Sequence, residues 1–195
     1  MADPSYIVDG VLTDGEAWVA VASTTLGSDA ASVTFTSTDD GQVGDWSQYM
    51  DLVLVTYARA SDGTTNADMG ISFNNDTTNA NYAIQSLYGS GSSVTAWADS
   101  STFPFSWIGS TPANTSTANA FGSGIANLYD INSGKYKTVI SRSGSDQNGS
   151  GRVTLIAGTW KSQAAISEID ISLNSRTLKS GSRFDLFGVL PRMVS

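Results

Sequence analysis

Apolar and polar residues alternate with a period of two through most of the chain, and no segment carries a sustained 3.6-residue pattern with cap signals at both ends. The chain therefore reads as strands. Ser32-Val33-Thr34-Phe35-Thr36 alternates cleanly. Leu52-Val53-Leu54-Val55-Thr56-Tyr57 is β-branched and apolar on both sides, as a strand covered on two faces would be, so one face of its sheet is expected to meet a partner. Further strands are predicted over 69–73, 82–88, 105–108, 126–131, 136–141, 153–160, 166–173 and 183–187. About ten strands at this spacing suit an all-β fold, and we expect an antiparallel β-sandwich, jelly-roll-like.

Turn chemistry separates the strands. Asp40-Gly41, Asp62-Gly63, Asn74-Asn75-Asp76, Gly89-Ser90-Gly91 and the run 143–151 are rich in residues that tolerate positive φ and close hairpins. Residues 111–120 read as a loop crossing one end of the sandwich. Residues 1–29 differ, with Asp-Gly steps at Asp9 and Asp14 and a short apolar patch around Trp18; they read as an N-terminal arm or added hairpin. Two placements stay open for it, on a neighbouring subunit or folded back as an edge of its own sheet. Residues 30–195 form the sandwich domain, ending in a short tail whose apolar residues need a cover.

Composition narrows the chemistry. The 195 residues include no Cys and no His, which removes disulfides, thiol nucleophiles, the usual general base and the commonest zinc ligands. The net charge of −8 comes from sparse charges, 14% of residues, and the ten basic residues are scattered, so nucleic acid is not an expected partner. The first residues carry no basic stretch, and the apolar run 17–22 is too short to span a bilayer, so neither a signal peptide nor a membrane partner is expected.

What remains for chemistry is weak. Glu168 and Asp170 share a strand face, as two glycosidase carboxylates might, but Ile169, Ile171 and Leu173 occupy the opposite face, which makes the pair an ordinary solvent-facing set. Asn74-Asn75-Asp76 offers oxygen ligands in a turn without the spacing of a calcium loop, and is read as a hydrogen-bonded hairpin turn. No catalytic residue, cofactor site or metal site is assigned. Of five tryptophans, Trp107 and Trp160 fall inside strand patterns and are expected to face the core. Trp18 in the arm, with Trp46 and Trp97 in predicted loops, forms the candidate contact surface.

Several short motifs carry a resemblance. Tyr49-Met50-Asp51-Leu52-Val53-Leu54-Val55, Ile71-Ser72-Phe73-Asn74-Asn75-Asp76-Thr77, Ser86-Leu87-Tyr88-Gly89-Ser90-Gly91, Ile156-Ala157-Gly158-Thr159-Trp160 and Ser180-Gly181-Ser182-Arg183-Phe184-Asp185-Leu186-Phe187-Gly188 occur in that order. Together they resemble a group of tailed-bacteriophage virion structural proteins, in which dLvLv, FNgDt, LyGnGs and terminal GSRFxLYG patterns follow one another. The resemblance covers roughly residues 30 to 188 and leaves the arm outside. It implies a non-enzymatic jelly-roll-like virion structural protein, most simply a capsid decoration or cement subunit made in the host cytoplasm and carried on the particle surface. Its implied partners are the major capsid protein or other virion subunits and further copies of itself, a trimer being the expected state. The alternative is a tail, baseplate or fibre component with a carbohydrate- or receptor-binding role. In the terminal motif, Phe184, Leu186 and Gly188 should point inward while Arg183 and Asp185 alternate outward.

Overall fold

A computed structural model describes residues 18–147 and 150–190, with the backbone alone at 7–8 and 11–12. β1 (Ile7–Val8) pairs with β2 (Val11–Leu12) as a small antiparallel hairpin. The longer strands are β3 (Trp18–Thr25), β4 (Ser32–Thr36), β5 (Asp51–Ala58), β6 (Asn66–Phe73), β7 (Tyr82–Ser90) and β8 (Ser93–Asp99). They continue as β9 (Ser106–Pro112), β10 (Gly122–Tyr129), β11 (Lys137–Asp146), β12 (Gly151–Trp160), β13 (Glu168–Ser172) and β14 (Arg183–Val189). Two 3₁₀ turns, Trp46–Gln48 and Asn79–Asn81, are the helical elements among the described residues.

All strand pairs are antiparallel, and the strands form a β-sandwich. Its four-stranded sheet runs β4-β13-β6-β9, and its eight-stranded sheet runs β3-β14-β5-β10-β11-β12-β7-β8. The first four strands of the large sheet and the four of the small one have jelly-roll connectivity, two Greek keys folded face to face. Hairpins β7–β8 and β11–β12 are inserted after β6 and β10, and both add to the large sheet alone.

The main core fills the jelly roll. Leu52, Leu54, Ile71, Phe73, Ile169, Ile171, Phe184 and Leu186 are fully buried in it, each side chain contributing about 1.5–3 kcal/mol of transfer free energy. The terminal strand alternates as expected, with Phe184, Leu186 and Gly188 buried and Arg183 exposed. Trp107 and Trp160 are buried as well. Beyond this core the sheets meet through small residues: β9 lies across β10, β11 and β12. Ser143 Oγ accepts the Ser110 N–H at 3.1 Å and lies 2.6 Å from Thr154 Oγ1. A side chain on Gly109 or Gly158 would overlap Ser143 or Ser106 across the gap, and Gly109, at φ 148°, also holds a backbone conformation that favours glycine.

One end of the sandwich is closed by residues 113–121, as the loop reading expects, although β9 continues to Pro112 first. The buried Arg59 guanidinium holds this loop, donating to the carbonyls of Ala113 at 2.8 Å and Thr117 at 2.9 Å and to that of Ala120.

Several expectations change. Of the two placements left open for residues 1–29, residues 18–25 take the second, an edge strand of their own sheet hydrogen-bonded to β14; the Leu26 N–H donates to the Ser182 carbonyl at 2.9 Å, and residues 1–17 lie outside the described residues apart from the β1–β2 backbone. Leu190 packs against the core, and residues 191–195 of the tail lie outside the description. Residues 93–99 form a strand that the pattern missed, because Ser, Thr and Ala dilute its alternation. Residues 143–146 and 151 belong to strands, which leaves a shorter connection at 147–150, two of whose residues are outside the description. Asn74-Asn75-Asp76 is not a hairpin turn. It carries the chain from β6 in one sheet to β7 in the other, with Asn74 and Asn75 at φ 52° and 54°.

That crossing is tied down by Asp76, whose carboxylate accepts the Trp160 indole N–H at 2.8 Å, the Asn81 amide at 2.7 Å and the Thr78 N–H at 2.9 Å. Burial pushes the Asp76 carboxyl up, but these donors together outweigh it and hold the group below the ordinary carboxylate range. A depressed folded pKa gives stability that is present above the unfolded pKa and lost as pH falls through the folded one. Asp76→Ala strands a buried N–H and should cost about 1–3 kcal/mol in urea unfolding. Wild-type stability should hold from neutral pH to about pH 4 and fall below it. Asp76→Asn should show a shallower acid fall, and an unchanged fall would remove Asp76 from the account.

Candidate functional site

The small sheet is too narrow to cover the large one. At the β7–β8 end the large sheet projects beyond β9, and all of β8 except Asp99 is exposed. The inner face of this overhang and the edge of the small sheet enclose an open cleft of about 350 Å³. Register explains its lining: Trp97 on β8 stands beside Ser86 on β7, which stands beside Ile156 on β12, and the next inward pair is Tyr88 and Thr154. Phe103, Trp107 and Gly109 form the opposite wall, and Asp68 and Arg152 its polar end.

A bulge in the β6–β9 pairing shapes that wall. Met69 pairs with Gly109 and Gly70 with Trp107, so Ile108 is extra; Ile108 joins the main core while Trp107 joins a satellite cluster with Ile84, Phe105 and Ile156. Phe103 packs edge-on against Trp107 at 5.1 Å between centroids and against Trp97 at 6.4 Å. Its loop is pinned by Asp99, which accepts the Thr102 hydroxyl at 2.5 Å and the Thr102 N–H at 3.0 Å. Burial raises the Asp99 carboxyl, but the Thr102 bonds together with the Ser100 and Ser101 backbone N–H groups outweigh it and hold the group below its ordinary range.

The polar end is equally ordered. Arg152 Nη1 donates to Asp68 Oδ1 at 2.6 Å, and the guanidinium carbon sits 4.1 Å from the Tyr88 ring centroid. One cation is thus held between a carboxylate and an aromatic face. Trp97, in the Ser86 row beside Phe103, keeps 43% of its surface exposed.

The opposite, outer face of the same strands is apolar. Leu155 stands beside Leu87 and then Ala96; Val153, Gly89 and Val94 make the adjacent row. Val94 is 74% exposed, Val153 67%, Leu155 52% and Leu87 47%. The Leu155 row continues through Arg142 to Ile125, and a shallow depression of about 440 Å³ opens at Gly144 between Ile125, Arg142 and Val153.

The candidate contact tryptophans separate. Trp46 is a correction: it is 1% exposed, packed in the main core from a 3₁₀ turn capped by Asp45. A turn in the sequence is not a guarantee of exposure when its aromatic side chain can reach the core. Trp97 lies in a strand and not a loop, and it is exposed in the cleft. Trp18 is 46% exposed at the far edge of the large sheet, 6.0 Å from the Phe187 ring. Glu168 and Asp170 face away from the core on the small sheet, held by Asn75 and Thr34 respectively, and neither lines the cleft. No group of three or more carboxylate, His or Cys side chains able to hold a metal occurs among the described residues. The pattern analysis missed Asp68, Tyr88, Phe103 and Arg152 as site residues. The β7–β8 hairpin signal at Gly89-Ser90-Gly91 could have placed Tyr88 and Trp97 on one face.

No protein-family profile matches the chain, and no curated protein sequence matches it. Among solved structures, the CBM40 domain of the Ruminococcus gnavus IT-sialidase, solved bound to alpha2,6 sialyllactose, aligns over 89% of this chain and 96% of its own. That alignment has 11% identity and a TM-score of 0.35. A lipoprotein of Bacteroides thetaiotaomicron aligns over 91% of each chain at 10% identity and a TM-score of 0.20. The attachment invasion locus protein Ail of Yersinia pestis covers 58% of this chain and 98% of its own, at 8% identity and a TM-score of 0.20. Overlaps at such scores carry no inference about ligand or role.

Proposed function

We propose that this chain is a non-catalytic virion structural subunit of a tailed bacteriophage, in the first instance a capsid decoration or cement subunit. The single observation that carries the reading is the outer face of the eight-stranded sheet, where Val153, Leu155, Leu87 and Val94 lie side by side and exposed. A free monomer rarely leaves so contiguous an apolar surface in water, and a subunit that buries it against neighbours removes the cost. The ordered motifs from Tyr49 to Gly188 supply the particle context by resemblance.

The reading also accounts for the composition. Sparse charge and abundant Ser, Thr and Gly suit a hydrated, inert exterior, and a net charge of −8 disfavours contact with packaged nucleic acid. A clamp that touches several shell subunits at once gains by mass action and by multivalency, so no single contact need be tight. A tail, baseplate or fibre subunit would use the same face at lower copy number.

The test is a double substitution, Val153→Lys with Leu155→Lys, on a face whose side chains do not enter the core. The variant should unfold within about 0.5 kcal/mol of wild type. Its binding to virion heads stripped of the subunit should fall by about tenfold or more in a sedimentation assay. Wild-type binding by the folded double variant would overturn the proposed docking face.

A further inference from the structure

The cleft under the β8 overhang lies on the opposite side of the sheet from the proposed docking face, so a subunit seated through Val153 and Leu155 would leave it open. We infer that this cleft is a binding site for one neutral pyranose unit of a glycan. The lining combines two chemistries that a sugar ring also combines. Trp97 and Phe103 offer an apolar plate and wall for the C–H face of a pyranose, and Asp68, Arg152 and Ser86 offer acceptors and donors for its hydroxyl rim. The volume of about 350 Å³ falls at the small end of ligand sites, which run from roughly 300 to 1,000 Å³.

Charge selects within the class. Arg152 is the one cation among the described lining residues, and Asp68 already neutralises it at 2.6 Å. A carboxylate or phosphate on the ligand would meet the Asp68 carboxylate beside Arg152 in a chain carrying −8, so acidic sugars and nucleotides are disfavoured. A purely apolar ligand would strip water from the Asp68–Arg152 pair without replacing its hydrogen bonds. The walls are also set in advance: Arg152 is fixed from two sides and the Phe103 loop is pinned by Asp99. Binding would therefore immobilise few additional side chains.

The experiment titrates the full chain with neutral gluco-, galacto-, manno- and N-acetylglucosamine oligosaccharides, and in parallel with sialylated and galacturonate oligosaccharides. Binding is followed by tryptophan fluorescence and by amide chemical shifts. The expected result is saturable binding of at least one neutral series, with shifts centred on Asp68, Ser86, Trp97 and Arg152. Trp97→Ala should weaken it about tenfold or more while leaving the chain folded and stripped-head binding at the wild-type value. Asp68→Asn frees the Arg152 charge and should raise affinity for acidic sugars relative to neutral ones. Absence of saturable binding by every neutral series, binding that survives Trp97→Ala, or preference of the wild type for acidic sugars would each overturn the inference. None of these outcomes bears on the outer-face docking test.

Discussion

Backbone N–H and C=O groups along a strand edge pair readily with a further strand, and here two inserted hairpins extend the ladder of one sheet only, moving its edge out to β8. The hydrogen-bond ladder runs unbroken from β3 through β14, β5 and β10 into β11, β12, β7 and β8, while the facing sheet stops at β9. Everything distinctive about the molecule follows from that mismatch in width. The jelly-roll half has a partner sheet and a conventional aliphatic core. The inserted half has β9 alone above it, which can sit close only because glycine, serine and threonine line the approach at Gly109, Ser143 and Gly158.

Past β9 the overhang presents two unlike surfaces. Its inner face, sheltered by the edge of the small sheet, gathers Tyr88, Trp97 and Arg152 into a cleft; its outer face exposes aliphatic residues in register. Period-two alternation places these sets back to back on the same strands. A substitution on one face therefore leaves the other largely untouched, and the two proposed roles are separable. The Asp76 junction matters to both, because it joins the turn entering β7 to Trp160 at the end of β12.

Much of the sandwich was legible in the chain. Strong alternation at 32–36, 168–172 and 183–188 carried both the strands and the direction of their side chains, since β-branched and aromatic residues there have one buried face. The β3 and β8 strands were less legible because Ala, Ser and Thr tolerate either environment and leave no clear period. Trp46 was misplaced for a different reason: a short 3₁₀ turn has no periodicity, and whether its aromatic ring turns in or out depends on space in a core built by distant strands. The cleft was beyond pattern reading. Asp68, Tyr88, Trp97 and Arg152 lie on four strands of two sheets, and they meet only because β12 pairs with β7, a strand order that alternation does not encode.

Copy number tests most directly the proposal that this chain is built into a particle. Quantitative mass spectrometry of purified, salt-washed virions, normalised to the major capsid protein, should find the chain at a fixed ratio corresponding to a repeating position on the head. Its absence from washed particles would contradict the account, and a count of only a few copies would contradict the decoration role and move the subunit to the tail.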